Sequence, residues 1–255
     1  MPYTQEILNY HLDGYAHVNN ARYLEFLEAA RWHYFKQRMP LGSLQQAQLV
    51  VARMDIRYRR AAKLGHAEAQ EALGCLYEFA EKPDYRRARK WYARAAAQRS
   101  SDAPDAAYRL GYLYEKGLGG KKDIQTAYRL YRRAAKNGHA DAQRALGYLY
   151  EKGLGLPQNH AKARKWYTRA ALQADATACN NLGFLYYNGK GMRRSKKLAE
   201  KWYKLAARAG SILALANLGI LYEDAGRLKK AVRYYRRAAE AGNKYAAKRL
   251  KRLDK

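Results

Sequence analysis

A Leu-Gly dipeptide recurs at Leu73-Gly74, Leu110-Gly111, Leu146-Gly147, Leu182-Gly183 and Leu218-Gly219, at steps of 37, 36, 36 and 36 residues. Three positions after each glycine stands a tyrosine: Tyr77, Tyr114, Tyr150, Tyr186 and Tyr222. A second ruler is Ala-Ala, beginning at Ala61, Ala95, Ala134, Ala170, Ala206 and Ala238, each preceded by three positions by Tyr58, Tyr92, Tyr131, Tyr167, Tyr203 or Tyr235. A fixed period in this range marks tandem two-helix units that bury their apolar faces by stacking on their neighbours.

One unit, residues 141–176, reads as helix, loop, helix. Asp141 is expected to cap a helix over 142–150, whose Leu146, Leu149 and Tyr150 share one face at i, i+3, i+4 spacing. Gly153 is expected to end it in the left-handed conformation. The second helix runs through Ala163–Ala171. A glycine inside a helix costs about 1 kcal/mol relative to alanine. Its return in every unit predicts a close helix approach, expected against the Ala-Ala step. Loops are expected near 79–84, 116–124, 152–160, 188–195 and 224–227, and a covering helix over 244–255.

The patterns A-x-x-x-L-G-x-L-Y-E-x-G-x-G and W-Y-x-x-A-A-x-x-G-H resemble the Sel-one-like repeat family, a relative of tetratricopeptide repeats. The resemblance covers residues 58–255 and implies a mainly α fold, a right-handed α-solenoid of five two-helix repeats. It also implies a non-enzymatic scaffold or adaptor that binds protein on a concave face formed by the first helices. The sequence departs from the pattern in places. The first copy has Ala80 and Lys82 where others have loop glycines, the last loop is four residues shorter, and Leu130 and Tyr234 stand at the Trp position.

Charge divides the chain near residue 57. Residues 1–57 carry six Lys/Arg against five Asp/Glu, and residues 58–255 carry 44 against 17, within a formal net charge of +28. The cations cluster on or just before the second helices, as in Arg86, Arg87, Arg89 and Lys90, or Lys229, Lys230, Arg233, Arg236 and Arg237. The charge points to an acidic partner, and a third functional reading is electrostatic binding to nucleic acid or acidic surfaces. Against base stacking, 11 of the 24 tyrosines sit at the two repeat positions named above and are expected in the core.

A hydrophobic share of 48% excludes wholesale disorder. No run approaches the ~18 apolar residues of a membrane span, and the N-terminus shows neither the basic start nor the apolar stretch of a secretory signal. Cys75 and Cys179, three repeats apart, are expected as free thiols, which suits a reducing, cytoplasmic setting. No Cys/His spacing implies a metal and no cofactor is expected. Gly117–Lys122 looks like a phosphate loop but lacks the spacing and the preceding strand. His66 and His139 fall in the repeat's Gly-His turn and are expected to be structural.

The N-terminal part is of another kind. Residues 13–31 contain Asp13-Gly14-Tyr15-Ala16-His17-Val18-Asn19-Asn20 followed by Tyr23-Leu24, Leu27-Glu28 and Ala30-Arg31. This resembles the opening of hotdog-fold acyl-CoA thioesterases of the hydroxybenzoyl-CoA type, with Ala16 in place of the usual glycine. The run 49–58 alternates in polarity like that family's next strand. The resemblance implies that Asp13 attacks an acyl-CoA thioester or activates water. It also implies that the Asn20 amide, at a helix N-terminus, polarises the carbonyl, with His17 and Asn19 supporting the turn. The domain reading is a partial hotdog-like α+β segment (strand, helix, strand) over 1–57, a shared junction over 58–64, repeats over 65–243 and the covering helix over 244–255. The octet 58–65 fits both a hotdog strand end and a repeat's second helix, as expected at a fusion point. Ala47, Val50, Val51, Met54, Tyr58 and Ala61 also follow helical spacing, so a helix of a degenerate repeat over 46–64 stands as the alternative.

Overall fold

The computed structural model describes residues 59–80, 82–98 and 104–253. The expected strand–helix–strand segment, and Asp13, His17, Asn19 and Asn20 with it, lie outside the described residues. Residues 59–63 are helical, and among the described residues there is no strand. The chain divides into two compact units, residues 1–113 with 117–121, and residues 114–116 with 122–255.

In the first unit, α1 (Ala67–Glu78) packs on α2 (Tyr85–Ala97). Ala62, Ala69 and Leu73 form a small core, with Leu76 and Trp91 against it. Asp84 caps α2 by accepting from the Arg87 amide at 2.9 Å. The side chain of Gln98 donates to Gly65 O at 2.5 Å and to Gln70 Oε1 at 2.8 Å, stapling the end of α2 to the start of α1. α3 (Pro104–Lys116) follows, and its last turn belongs to the second unit.

The second unit is a run of helices each packed on the next: α4 (Ile124–Lys136), α5 (Ala140–Lys152), α6 (His160–Leu172), α7 (Ala176–Asn188), α8 (Lys196–Arg208), α9 (Ile212–Glu223), α10 (Leu228–Glu240) and α11 (Lys244–Leu253). The first helices of successive pairs also touch, α7 against α9 and α9 against the covering α11. The loops fall at 117–123, 153–159, 189–195 and 224–227, as the period predicts. Side chains that compete with the backbone mark the helix starts. Asp123, Asn159, Asp175, Ser195 and Ser211 each accept from the amide three residues on.

Two expectations need correction. The cap of α5 is His139, not Asp141: its Nδ1 accepts from the Ala142 amide at 3.1 Å. Asp141 sits one residue inside the helix and pairs with Arg144, which also reaches Asp175 Oδ2 at 2.9 Å. The recurrent glycine does not face the Ala-Ala step. A Cβ on Gly147 would lie 2.6 Å from Cδ1 of Tyr167, and Gly183 and Gly219 stand at 2.5 Å in the same relation to Tyr203 and Tyr235. The glycine makes room for a flat phenol ring, and Tyr131, Tyr167, Tyr203 and Tyr235 are all at most 2% exposed. Ala134, Ala170, Ala206 and Ala238 fill the next layer, also buried. Gly153 does close α5 at φ 67°.

The loops interlock neighbouring pairs. A Cβ on Gly191 would meet the Ala161 amide nitrogen at 2.9 Å, so the loop after α7 lies on the first turn of α6. The shorter fourth loop has no such glycine, and Lys196 Nζ instead donates to Asp224 O at 3.2 Å. The Gln98–Gln70 staple of the first unit returns here, with Gln173 donating to Gly138 O at 2.8 Å and to Gln143 Oε1 at 2.9 Å.

Candidate protein-binding surface

The residue after the helix glycine points away from the tyrosine that the glycine admits. In the second unit this residue is Tyr148, then Phe184, then Ile220, one per first helix at steps of 36. Tyr148 is 43% exposed, Phe184 is 36% exposed, and Ile220 is half-buried. Tyr112 holds the equivalent place in the first unit and is also exposed. Lys152 Nζ stands 5.9 Å from the Tyr148 ring centroid and Lys190 Nζ 5.1 Å from that of Phe184, so each ring is rimmed by a cation. The sequence reading did not single out this row, although the same 36-residue step carries it.

Behind the row lies a set of carboxylates. Tyr167 Oη donates to Glu151 Oε2 at 2.9 Å, Tyr131 to Glu115 at 2.8 Å and Tyr235 to Glu223 at 2.7 Å. In the first unit Tyr92 donates to Glu78 at 2.5 Å. Burial, with the carboxylate beside it, pushes each of Tyr167 and Tyr235 far above the usual phenol range. The acids are neutralised in two ways. Glu151 pairs with its neighbour Lys152 at 2.9 Å, whereas Glu223 pairs with Arg249 of the covering helix. The Arg249 hydrogen bonds hold Glu223 below the ordinary carboxylate range. Tyr187 replaces the glutamate in the fourth copy, and its hydroxyl donates to Asp224. Asn217 Nδ2 donates to Asn180 Oδ1 at 2.8 Å, bridging α9 to α7 on this face.

Charge is sorted by helix type. The five second helices carry 23 Lys/Arg and two acids, whereas the five first helices carry four and eight. A basic protein thus presents a surface of aromatic rings, amides and paired carboxylates on its first helices. Such a mix of rigid aromatic area and hydrogen-bonding groups suits a polypeptide ligand.

The first-helix tyrosines are a correction to the core expectation. Of Tyr77, Tyr114, Tyr150, Tyr186 and Tyr222, only Tyr222 is buried and the rest are half-buried. Tyr150 Oη lies 3.0 Å from Tyr128 Oη, with Lys162 over its ring at 5.4 Å. Burial and the Tyr128 hydroxyl push its pKa up to about 12. Cys75 and Cys179 are free, buried thiols, as expected. Among the described residues there is no group of three or more His, Cys, Asp or Glu that could hold a metal, and no helix is long and apolar enough to cross a membrane.

The Sel1 repeat family model matches residues 104–139, 140–175, 176–211 and 212–243. It leaves out the first copy, the one with Ala80 and Lys82 in its loop. A thioesterase-like superfamily model matches residues 8–88, which reaches past the junction into the first repeat. Among solved structures, a Sel1 repeat protein from Oxalobacter formigenes is 30% identical, with a TM-score of 0.68 over 93% of this chain and 94% of that one. The c5321 protective antigen of uropathogenic Escherichia coli is 29% identical, with a TM-score of 0.72 over 92% of this chain and 51% of that one. The long-chain acyl-CoA thioesterase FadM of Escherichia coli K12 is 46% identical over 61 residues, 23% of this chain and 46% of that protein. The chain therefore spans about half the length of that thioesterase.

Proposed function

Because this chain belongs to the Sel1 repeat family, we propose that it is a non-enzymatic scaffold that binds a protein partner across its first helices. The observation that carries this reading is the row Tyr148, Phe184 and Ile220, exposed at its two aromatic positions and held in register by the glycine–tyrosine contact behind it. Rings on a rigid repeat scaffold lose little conformational freedom when a ligand covers them, so each contributes a large share of binding. The half-buried Asn217 amide, bonded to Asn180, supplies a polar contact beside the rings. In an array of this type the first helices line the concave side, which gives a peptide several rings along its length.

The test is site-specific photo-crosslinking in the host cell, with a benzophenone amino acid at Phe184 and, for comparison, at Leu205 on α8. A discrete protein adduct from Phe184 that is absent from Leu205 and lost in the Tyr148→Ala variant supports the reading. Adducts from Leu205 alone would overturn it.

A second reading is favoured by one observation, the 46% identity to FadM over 61 residues. Under it the N-terminal part acts on acyl-CoA thioesters through Asp13, with Asn20, His17 and Asn19 in the roles the resemblance implies.

A further inference from the structure

In the second unit the second helices repeat not only their buried tyrosine but also a pair of solvent-facing positions, two residues before it and two after. The first position holds Arg129, Lys165, Lys201 and Arg233, all exposed. The second holds Arg133, Arg169, Leu205 and Arg237, also all exposed. The two positions are i and i+4 on one helix face. Three of the four helices therefore set like charges against each other, an arrangement that weakens a helix. Lys165, Lys201, Arg233 and Arg237 pair with no acid among the described residues. Four exposed cations, Lys165, Lys201, Arg233 and Arg237, with no ion-pair partner among the described residues, fit an external polyanion.

We propose that this second-helix face docks on an anionic lipid bilayer, with α8 at the centre of the contact. The aliphatic side chains decide between lipid and nucleic acid. Leu205 stands where the other three helices have arginine and is 37% exposed; Leu198, 39% exposed, stands where α6 and α10 have Lys162 and Lys230. Leu172 at the end of α6, seven residues after Lys165 on the same face, is 78% exposed. Leucines among lysines and arginines match the boundary between headgroups and acyl chains, where cations meet phosphate and the apolar side chains enter below. Single-stranded nucleic acid needs open aromatic faces instead. The rings on this side are already covered: Arg169 lies over Trp166 at 4.7 Å, Tyr234 stacks on Tyr222 at 5.3 Å, and Trp202 packs against the core. This surface is separate from the first-helix row, so one molecule can hold a protein partner while lying on a membrane.

The experiment is sedimentation of the full chain with vesicles of phosphatidylcholine alone or with about one-third phosphatidylserine, alongside binding to a single-stranded uridine oligonucleotide. Binding to the anionic vesicles should exceed that to neutral ones by about tenfold or more. Two variants separate the sources. Replacing Arg129, Lys165, Lys201 and Arg233 by Gln should remove vesicle binding, while replacing Lys244, Lys248 and Lys251 of α11 by Gln should leave most of it. Leu198→Gln with Leu205→Gln keeps every charge and should reduce vesicle binding several-fold while leaving oligonucleotide binding unchanged. Thermal melting confirms that each variant is folded. Equal binding to neutral vesicles, equal loss in the two charge variants, or indifference to the leucine changes would each overturn the proposal. Tighter binding to the oligonucleotide than to the anionic vesicles would transfer the face to nucleic acid.

Discussion

A Cβ on Gly147 would lie 2.6 Å from Cδ1 of Tyr167, and the hydroxyl of the same tyrosine donates a hydrogen bond to Glu151, four residues further along α5. One ring thereby fixes the spacing of a helix pair through shape and its orientation through a hydrogen bond. The helix glycine and the second-helix tyrosine are one device. The exposed row that begins at Tyr148 is held in place by the contact immediately behind it.

Substitution at Gly147 follows from this contact. In an exposed helix interior Gly→Ala stabilises by about 1 kcal/mol. Here the sign should reverse, because the added methyl meets a ring that is 0% exposed and has nowhere to move. Gly147→Ala is expected to lower stability by about 1–3 kcal/mol and Gly147→Leu by more, through separation of α5 from α6. Thermal melting by circular dichroism reads both. Wild-type stability in Gly147→Leu would show that the ring yields.

The covering helix should respond to acid. Arg249 holds Glu223 below its ordinary value of 4.5, so the pair contributes stability above that pH and loses it as pH falls through the lower, folded-state value. The window is therefore acidic, below pH 4.5. Protection of α11 against amide exchange, corrected for the intrinsic rate at each pH, should fall there before protection of α6 or α7. Glu223→Gln should show low α11 protection at neutral pH and no further loss in acid. An α11 whose protection in the wild type is unchanged from neutral pH to well below 4.5 would refute the role of this pair.

Much of the fold is legible in the sequence because the period and the loop glycines act locally. What escaped it depends on contacts across the period. Glycine and tyrosine are 20 residues apart in one copy, and nothing in the order of residues says that the ring, not the adjacent Ala-Ala step, fills the space. Asp141 looked like the cap because carboxylates cap well, yet the helix starts two residues earlier and the imidazole of His139 takes the role. The Tyr150 set has helical spacing on the core side, but its rings reach the rim and meet Tyr128 and Lys162 from neighbouring helices. The row of Tyr148, Phe184 and Ile220 was readable from the same 36-residue step. It varies in residue type, so no shared letter drew attention to it.

The Tyr–Glu bond should couple packing to the binding face. Tyr167→Phe keeps the ring beside Gly147 and leaves Glu151, which is 5% exposed, with Lys152 alone. A buried hydrogen bond to a charged acceptor contributes about 1.5–3 kcal/mol. Tyr167→Phe should therefore destabilise by an amount in that range, and Tyr203→Phe by less, since Tyr187 stands where a carboxylate would face Tyr203. Denaturant melts of the two variants make the comparison. Equal losses would mean that the hydroxyl–carboxylate bond contributes nothing beyond shape.

Nucleic acid should bind weakly and give way to salt. With 50 Lys/Arg in the chain, association with an oligonucleotide at low ionic strength is expected from counterion release alone. It should show no sequence preference and disappear near physiological ionic strength, where the screening length falls to about 8 Å. Fluorescence anisotropy across a salt series tests this. Tight binding that persists at about 0.2 M salt, or a clear preference for one sequence, would contradict it.

Catalysis is the sharpest test of the N-terminal part. The motif around Asp13 resembles half of a thioesterase site, in which the rest comes from a continuous sheet and a partner subunit. The thioesterase-like match runs to residue 88, yet within it residues 67–78 form α1 and residues from 85 onward belong to α2. The chain after the junction thus serves the repeats, with Tyr92 bonded to Glu78 and Gln98 stapled to Gln70, where the resemblance implies strands. Thioester hydrolysis needs its nucleophile and polarising amide held to about 0.5 Å, and the segment shared with FadM is only 61 residues long. The expected result is no release of free CoA from a panel of aromatic and aliphatic acyl-CoAs, with wild type and Asp13→Ala indistinguishable. Turnover by the wild type that vanishes in Asp13→Ala would make the second reading the correct one, with the repeats as an accessory that places an enzyme beside its partner.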